Sequence, residues 1–245
     1  MILLALECSG NGCSAAVAAE DRMLAHEFEP MARGQSERLI PMIQRVMTAA
    51  QLDFAALGSI AVTVGPGAFT GVRIGIAAAR GLGLALALPV RGFTSFEVVA
   101  AAAGTPQEPR QTLIVALDSR RDELFLQAFG ADSCPLGDGA LIAPNAWAGW
   151  APPGDLLLAG DGAPRLARAL RAEAGSGRSR TGDIVAYRNA TDRNVIELPG
   201  LGIPDAAALA HLAIGRWGSG GPFRPAEPLY LRAPDVTIAT PAPPL

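Results

Sequence analysis

The segment IAVTVGPGAFTGVRIGIAAARGLGLALAL, residues 60–88, determines how we interpret the rest of the chain. Its first five residues are apolar or β-branched and predict a buried strand, and Gly65, Pro66 and Gly67 predict a tight turn that ends this strand. A helix is expected next, with Thr70 as its N-cap, because a threonine side chain there accepts a hydrogen bond from a nearby backbone N–H. The segment therefore predicts a strand, a turn and a helix in direct succession.

Small residues recur every four positions along this predicted helix, at Gly71, Gly75, Ala79 and Gly83. Each interior glycine costs about 1 kcal/mol of helix stability relative to alanine, so a row of them needs a compensating contact. The absence of side chains permits another backbone to approach closely. Either the protein's own helices or a helix of a partner protein would fill this groove.

A second helix, predicted from Ser36 to Ala50 with Ser36 as its N-cap, is more apolar than one buried face requires. Its apolar side chains include Leu39, Ile40, Met42, Ile43, Val46 and Met47. This surplus and the small-residue groove predict two helices presented side by side to a partner. The alternative is that both faces are internal, with the helices buried between a sheet and loops.

The strand, the Gly-Pro-Gly turn, the sequence Phe-Thr-Gly-Val-Arg at 69–73 and the small-residue helix together resemble the bacterial family of TsaB, a tRNA threonylcarbamoyladenosine biosynthesis protein. The sequence Glu-Pro-Leu-Tyr-Leu-Arg at 227–232 resembles the C-terminal P-x-Y-L-R signature of that family. The resemblance is strong over 36–93 and 228–232 and weak between 130 and 200. It implies an α/β fold of the actin/sugar-kinase/Hsp70-like (ribonuclease H-like) type, duplicated into two subdomains.

Membership of this family would imply a non-catalytic subunit that binds and supports the transferase TsaD. TsaD transfers a threonylcarbamoyl group to the adenosine next to the anticodon of tRNA. The resemblance also implies the ATPase TsaE as a partner, a homodimer when the chain is alone, and tRNA contact only through the complex. The residues expected at the partner interface are Leu39, Ile40, Met42, Ile43, Val46, Met47, Gly71, Val72, Gly75, Ile76, Ala79 and Gly83.

The chain opens with an apolar strand over 2–6, a polar turn, and further strands over 13–19 and 23–28. In ATP-hydrolysing proteins of the resembled fold, the first turn carries an acid near the metal and phosphates, usually Asp. Here the acid is Glu7, which is one methylene longer, so a metal ion would sit differently or not at all. Ser9 in the same turn either donates to a phosphate or stabilises the turn.

The second half repeats this plan, with strands at 113–117 and 123–129 on either side of an acidic turn. Such a repeat is what the duplicated fold predicts. Asp118 in this turn would then face Glu7 across a cleft, or it merely stabilises the turn beside two arginines. Two further weak candidates for nucleotide binding follow an apolar strand, and they are Gly160 and Gly162.

The composition restricts the function. The chain has 245 residues, half of them apolar, and a net charge of −3, which argues against a protein that holds nucleic acid alone by neutralising many phosphates. The cysteines Cys8, Cys13 and Cys134 match neither a redox pair nor a zinc site and are expected to be reduced thiols. With only His26 and His211 available, no metal site and no catalytic triad are expected.

The N-terminus does not resemble a signal peptide and no membrane span is expected, which predicts a cytoplasmic protein. We predict subdomains at 1–104 and 105–232 and a disordered, Pro-rich tail at 233–245. The seven arginines between 165 and 193 predict a solvated surface or a share in tRNA contact. No cofactor of its own is expected, although ATP or ADP and a divalent metal are possible in the complex.

Two other functions stay open at this point. The first is a stand-alone ATP-binding phosphotransferase or hydrolase of the actin-like superfamily, which would use Glu7, Asp118 and the loop at Gly160. The second is a peptidase, and it is the weakest because histidine is scarce and metal-ligand spacing is absent from the sequence.

Overall fold

The structure is a computed structural model, and it describes residues 1–20, 22–106, 108, 110–131, 133–143, 146–147, 150, 152–173, 178–181, 184–188 and 194–232. The predicted tail at 233–245 lies outside these residues. Of the arginine-rich segment, only Arg165 and Arg168 have side chains within the described part.

The first half of the chain builds a five-stranded mixed sheet. Its strands are β1 (Ile2–Glu7), β2 (Gly12–Ala19), β3 (Arg22–Pro30), β4 (Ser59–Thr63) and β5 (Val90–Phe93), in the spatial order β3-β2-β1-β4-β5. β1 pairs antiparallel with β2 and parallel with β4, and β5 continues the parallel part. The predicted opening of strand, turn and strand is therefore confirmed.

The second half repeats this topology in a seven-stranded sheet. Its strands are β6 (Gln111–Asp118), β7 (Leu124–Phe129), β8 (Ala140–Ile142), β9 (Asp155–Ala159), β10 (Arg178–Thr181), β11 (Ile184–Arg188) and β12 (Asn194–Glu197). The strands β8-β7-β6-β9-β12 have the same order and pairing directions as β3-β2-β1-β4-β5, and β11 and β10 extend the sheet at one edge. The predicted duplication is confirmed.

The described residues form five α-helices, which cover both faces of the sheets. They are α1 (Gln35–Ala49), α2 (Phe69–Leu86), α3 (Ser95–Ala103), α4 (Ala163–Glu173) and α5 (Ala206–Gly218). On β1, Leu4 and Leu6 pack in one cluster with α1 and α2, whereas Leu3 and Ala5 pack in another with α5. Burial on both faces explains why residues 2–6 of β1 are all apolar instead of alternating.

The chain crosses between the two sheets. Helix α3 follows β5 of the first sheet, yet its Phe96 and Val99 pack with Leu113 of the second sheet. Helix α5 comes from the second half and packs on the first sheet. Because these two helices join the halves, the subdomain division at residue 104 stays a prediction.

Two of the predicted N-caps are wrong, since Ser36 and Thr70 each lie inside the first turn of a helix. Helix α1 begins after Gly34, whose φ of 96° is left-handed and suits a glycine. Helix α2 begins after Ala68, whose backbone N–H donates to the carbonyl oxygen of Ser9 at 2.7 Å. In both places the backbone arrangement overrides the side-chain preference for a cap.

Asp205 caps α5, and it also joins this helix to β3. Its Oδ1 accepts from the backbone N–H of Ala207 at 2.7 Å and lies 2.7 Å from Nε2 of His26. The hydrogen bond to Asp205 raises the pKa of His26 above its ordinary value of 6.5. The contact therefore favours the protonated imidazole.

Replacing His26 with leucine is expected to lower the free energy of unfolding at about pH 6 by less than about 1 kcal/mol, because both partners are partly exposed. The folded pKa of His26 is raised, so its contribution is complete below 6.5 and is lost as the pH rises through the folded value. Urea unfolding at about pH 6 and about pH 9 measures the change. An equal loss at both pH values would contradict the ion pair.

Candidate functional site

The turn between β4 and α2 packs directly on the turn between β1 and β2. Gly67 and Gly71 lie where a Cβ atom would collide with the backbone carbonyls of Ser9 and Cys8, respectively. The backbone hydrogen bond from Ala68 to Ser9 fixes this contact. Both glycines are therefore needed for the close approach of two backbones.

The stripe of small residues on α2 faces the protein's own sheet. A Cβ atom at Gly75 would contact Val62 of β4, and one at Gly83 would collide with Val90 of β5. Ala79, between them, is fully buried. The structure thus supports the alternative in which the protein itself fills the small-residue groove of α2. The elements that fill it are strands of the first sheet and not helices.

Burial places most of the expected interface residues in the core. Ile40 is 46% exposed, but the other eleven are buried. These eleven are Leu39, Met42, Ile43, Val46, Met47, Gly71, Val72, Gly75, Ile76, Ala79 and Gly83. They pack within the first half of the chain and do not face outward. Helix periodicity shows which side chains share a face, but not whether that face is buried or exposed. A partner interface on α1 and α2 stays a prediction, and it concerns the exposed faces of these helices.

Those exposed faces carry apolar and small side chains. In addition to Ile40 on α1, the large apolar residue Leu84 on α2 is exposed, with 87% of its surface accessible. Ala77 and Gly81 are also exposed and lie, respectively, two turns and one turn before Leu84 on the same side of α2. A partner helix could approach this side closely.

Glu7 is fully buried at the end of β1. Its Oε1 accepts from the backbone N–H of Ser9 at 2.6 Å and from the Ser9 hydroxyl, whose oxygen also lies 2.8 Å from Oγ of Ser95. Its Oε2 is buried with no hydrogen-bond partner among the described residues. Burial raises the pKa of Glu7 to about 7, against the hydrogen bonds from Ser9. A divalent cation prefers ionised oxygen ligands, so a cation that bound Glu7 would have to displace this proton.

Asp118 is engaged in stabilising the turn between β6 and β7. Its Oδ1 accepts from the backbone N–H of Arg120 at 2.9 Å and from Nη1 of Arg165 at 2.7 Å. Arg165 also donates to two carbonyl groups of the same turn, each at 2.8 Å. The backbone N–H of Asp118 donates to Asp161, whose pKa is raised by burial. This geometry matches the structural role that the sequence left open for Asp118.

Ser9 and Asp118 line a narrow cleft between the two halves of the chain. The cleft encloses about 20 Å³, which suits about one water molecule and not a nucleotide. Gly160 and Gly162 are not among its lining residues, because they pack the turn after β9 against β6 and β7. Nucleotide binding at these residues stays a prediction, and it would require the cleft to open.

The described residues also bear on the expectations about metal ligands, thiols and membrane spans. No group of three or more His, Cys, Asp or Glu side chains among them is placed to hold a metal ion. Cys8, Cys13 and Cys134 are not joined by disulfide bonds. Helix α2 is long and apolar enough to span a membrane by length and composition, but it is partly buried and packs against the first sheet as a core helix.

A larger groove lies beside the cleft, where the two signature sequences quoted above come together. It encloses about 530 Å³ and is lined by residues from 66–73, 119–125 and 229–232. The C-terminal segment reaches it because the backbone N–H of Leu229 donates to the carbonyl of Val64 at 2.8 Å. The sequence contains both motifs, but no periodicity or spacing indicates that segments so far apart form one surface.

This groove is basic and aromatic. Of its fourteen lining residues, four are arginines and none is acidic. Phe69 and Tyr230 are 64% and 52% exposed, with ring centroids 6.1 Å apart. The guanidinium of Arg73 lies over both rings, 3.3 Å from the centroid of Phe69 and 5.2 Å from that of Tyr230. Arg232 pairs with Glu123 at 3.0 Å.

Comparison with known proteins gives consistent sequence matches. A family model described as "TsaD: tRNA N6-adenosine threonylcarbamoyltransferase" matches residues 29–165. The chain is 33% identical over 132 residues to the tRNA threonylcarbamoyladenosine biosynthesis protein TsaB of Escherichia coli (strain K12). The aligned part covers 54% of this chain and 56% of that protein. The matched part spans about half the length of the curated relatives.

Solved structures match over more of the chain. YeaZ from Pseudomonas aeruginosa is 29% identical, with a TM-score of 0.73 over 94% of this chain and 99% of that one. The activator of the 2-hydroxyisocaproyl-CoA dehydratase from Clostridium difficile with bound ADPNP is 9% identical, with a TM-score of 0.50 over 90% of this chain and 97% of that one, a likeness of fold alone. With the repeated sheet topology, these likenesses confirm the predicted actin-like duplicated fold.

Proposed function

Because the chain belongs to the TsaB/YeaZ family, which shares the TsaD family domain, we propose that it is a subunit of a complex that makes threonylcarbamoyladenosine in tRNA. In this role it binds a TsaD-type transferase and supports the transfer without catalysing it. A TsaE-type ATPase is the other protein partner, and the complex works in the cytoplasm.

The observation that carries this proposal is the exposure of a large apolar side chain on each of α1 and α2. Ile40 and Leu84 are large apolar side chains on two helices that also contact each other. Burying one such side chain stabilises an association by about 1.5–3 kcal/mol. The small residues Ala77 and Gly81 leave room for a partner helix beside them. The same face supports a homodimer when the transferase subunit is absent.

The acidic residues fit a subunit that does not catalyse. Glu7 is buried and hydrogen-bonded to Ser9, and Asp118 is held by Arg165. One oxygen of each carboxyl group, Oε1 of Glu7 and Oδ1 of Asp118, is therefore engaged in holding its own turn, which supports a structural role for both residues.

A stand-alone ATP-binding phosphotransferase or hydrolase is the alternative, since Ser9 and Asp118 line one cleft in a fold shared with an ADPNP-bound protein. Calorimetric titration of the isolated chain with magnesium-ATP separates the two functions. Saturable binding heat that disappears in Asp118→Asn would favour the enzyme. A flat titration would remove it.

The double replacement Ile40→Asp and Leu84→Asp is expected to weaken binding to the TsaD-type subunit of the same organism by about 100-fold or more, because two charges would be buried in an apolar interface. Co-purification and light scattering of the mixed subunits measure this. Leu136→Asp is the matched control, since Leu136 is also exposed but lies outside both helices. The proposal fails if the double variant still binds, or if the control loses binding equally.

A further inference from the structure

We infer that the groove lined by residues from 66–73, 119–125 and 229–232 holds an unpaired nucleotide of an RNA strand. The base stacks against the platform formed by Tyr230 and by Phe69 with its overlying Arg73, and the arginines contact the neighbouring phosphates. This inference rests on the proposed function and deepens it, because it assigns this chain a direct contact with the RNA substrate of the complex.

The aromatic rings form a stacking platform. Phe69 belongs to α2 and Tyr230 to the C-terminal segment, so the two rings come from distant parts of the sequence. Both side chains are more than half exposed. The guanidinium carbon of Arg73 lies 3.3 Å from the centroid of Phe69, so the guanidinium group is part of the platform. Unpaired RNA bases are bound by stacking on aromatic side chains and on arginine guanidinium groups.

The charges of the groove suit phosphate groups. Arg73, Arg120, Arg121 and Arg232 line it, and no acidic residue is among its lining residues. Glu123 offsets Arg232, but Arg73 is in no ion pair formed by the described residues. Arginine binds phosphate oxygens through two parallel hydrogen bonds. Because the chain as a whole has a net charge of −3, this is a local contact with a few phosphates.

The shape and composition favour a strand over a free nucleoside triphosphate. A volume of about 530 Å³ accommodates a nucleotide. The four arginines come from three separate segments, so a strand that crosses the groove can meet them in succession. A free nucleoside triphosphate binds with a magnesium ion, and the lining residues include no carboxylate to hold this ion.

The test is fluorescence anisotropy of the full chain at low salt with a fluorescein-labelled RNA hairpin that has an unpaired loop. Tyr230→Ala and Arg73→Gln are each expected to weaken binding about tenfold, and Arg73→Gln also to reduce the salt dependence by about one ion. Tyr230→Phe retains the ring and is expected to retain affinity. Arg80→Gln is the matched control, because Arg80 is exposed on the same helix but does not line the groove.

Several outcomes would overturn the inference. These are equal binding of the fully paired duplex of the same sequence, equal losses in Arg80→Gln, and binding of free ATP or AMP at the groove without binding of the hairpin. If Tyr230→Ala no longer binds the transferase subunit but binds RNA as well as the wild type does, the groove is assigned to a protein partner instead. The chain ending at Arg232 is expected to bind RNA as well as the full chain, and a loss on truncation would place the contact in 233–245.

Failure of this inference is distinguishable from failure of the proposed function. RNA binding is measured on this chain alone, whereas subunit association is measured with the Ile40→Asp and Leu84→Asp variant. If that variant loses the transferase subunit while all groove variants bind RNA equally, the proposed function stands and only the groove assignment is wrong.

Discussion

Replacing Gly71 with alanine is expected to lower the free energy of unfolding by about 3 kcal/mol, a large effect for one methyl group. The added Cβ atom would collide with the backbone carbonyl oxygen of Cys8, which cannot move aside without displacing the turn between β1 and β2. The backbone hydrogen bond from Ala68 to Ser9 holds that turn in place. Urea unfolding followed by far-ultraviolet circular dichroism measures the change.

Gly81 on the same helix provides the matched control. A Cβ atom there would have nothing within 4 Å, and Gly81→Ala is expected to raise the free energy of unfolding by about 1 kcal/mol through helix propensity alone. If Gly71→Ala and Gly81→Ala both stabilise the protein, the stripe of small residues on α2 does not need its glycines for internal packing. The stripe would then again be a candidate surface for a partner helix.

The strands are the most predictable part of this fold. The residues 2–6 of β1 and 60–62 of β4 are all apolar because both faces of these strands are covered by helices, so the strands are recognisable without alternation. The weak repeat of strand, acidic turn and strand at Asp118 predicts the duplication that the two sheets confirm. These features depend on residue type and local order, which a sequence displays directly.

The surroundings of a helix are harder to predict. The spacing of Gly71 and Gly75 predicts that another backbone comes close, and the structure identifies it as the chain's own turn at Cys8 and the nearby strands. Helix periodicity identifies side chains that share a face but not the element that covers this face. The groove at Phe69 and Tyr230 is beyond local patterns for a related reason, since it forms only when the last segment pairs with the end of β4.

The candidate site shows the same division. The sequence correctly indicates an acid and a hydroxyl side by side in the first turn, and the structure joins Glu7 to Ser9 by hydrogen bonds. Burial, which depends on the whole fold, decides the chemistry of the acid. A carboxyl group whose pKa is about 7 behaves differently from the ionised acid expected of a metal ligand.

Replacing Glu7 with glutamine is expected to raise the free energy of unfolding by about 3 kcal/mol at about pH 8 and to change it little at about pH 5. The ordinary pKa of 4.5 applies to the unfolded chain and about 7 to the folded one, so the folded protein retains a proton that the unfolded chain releases between these values. The wild-type protein therefore loses stability as the pH rises through this window. The amide oxygen of glutamine still accepts both hydrogen bonds from Ser9, and the variant has no carboxyl group to ionise.

Unfolding curves of both proteins in urea at several pH values test this expectation. If wild-type stability stays level from about pH 5 to about pH 8 and the glutamine variant is weaker throughout, Glu7 is ionised in the folded protein. An ionised, fully buried carboxylate needs a compensating positive charge, and Oε2 has no hydrogen-bond partner among the described residues. A cation bound at the cleft would supply that charge, and the ATP-binding alternative would then become the better account of this turn.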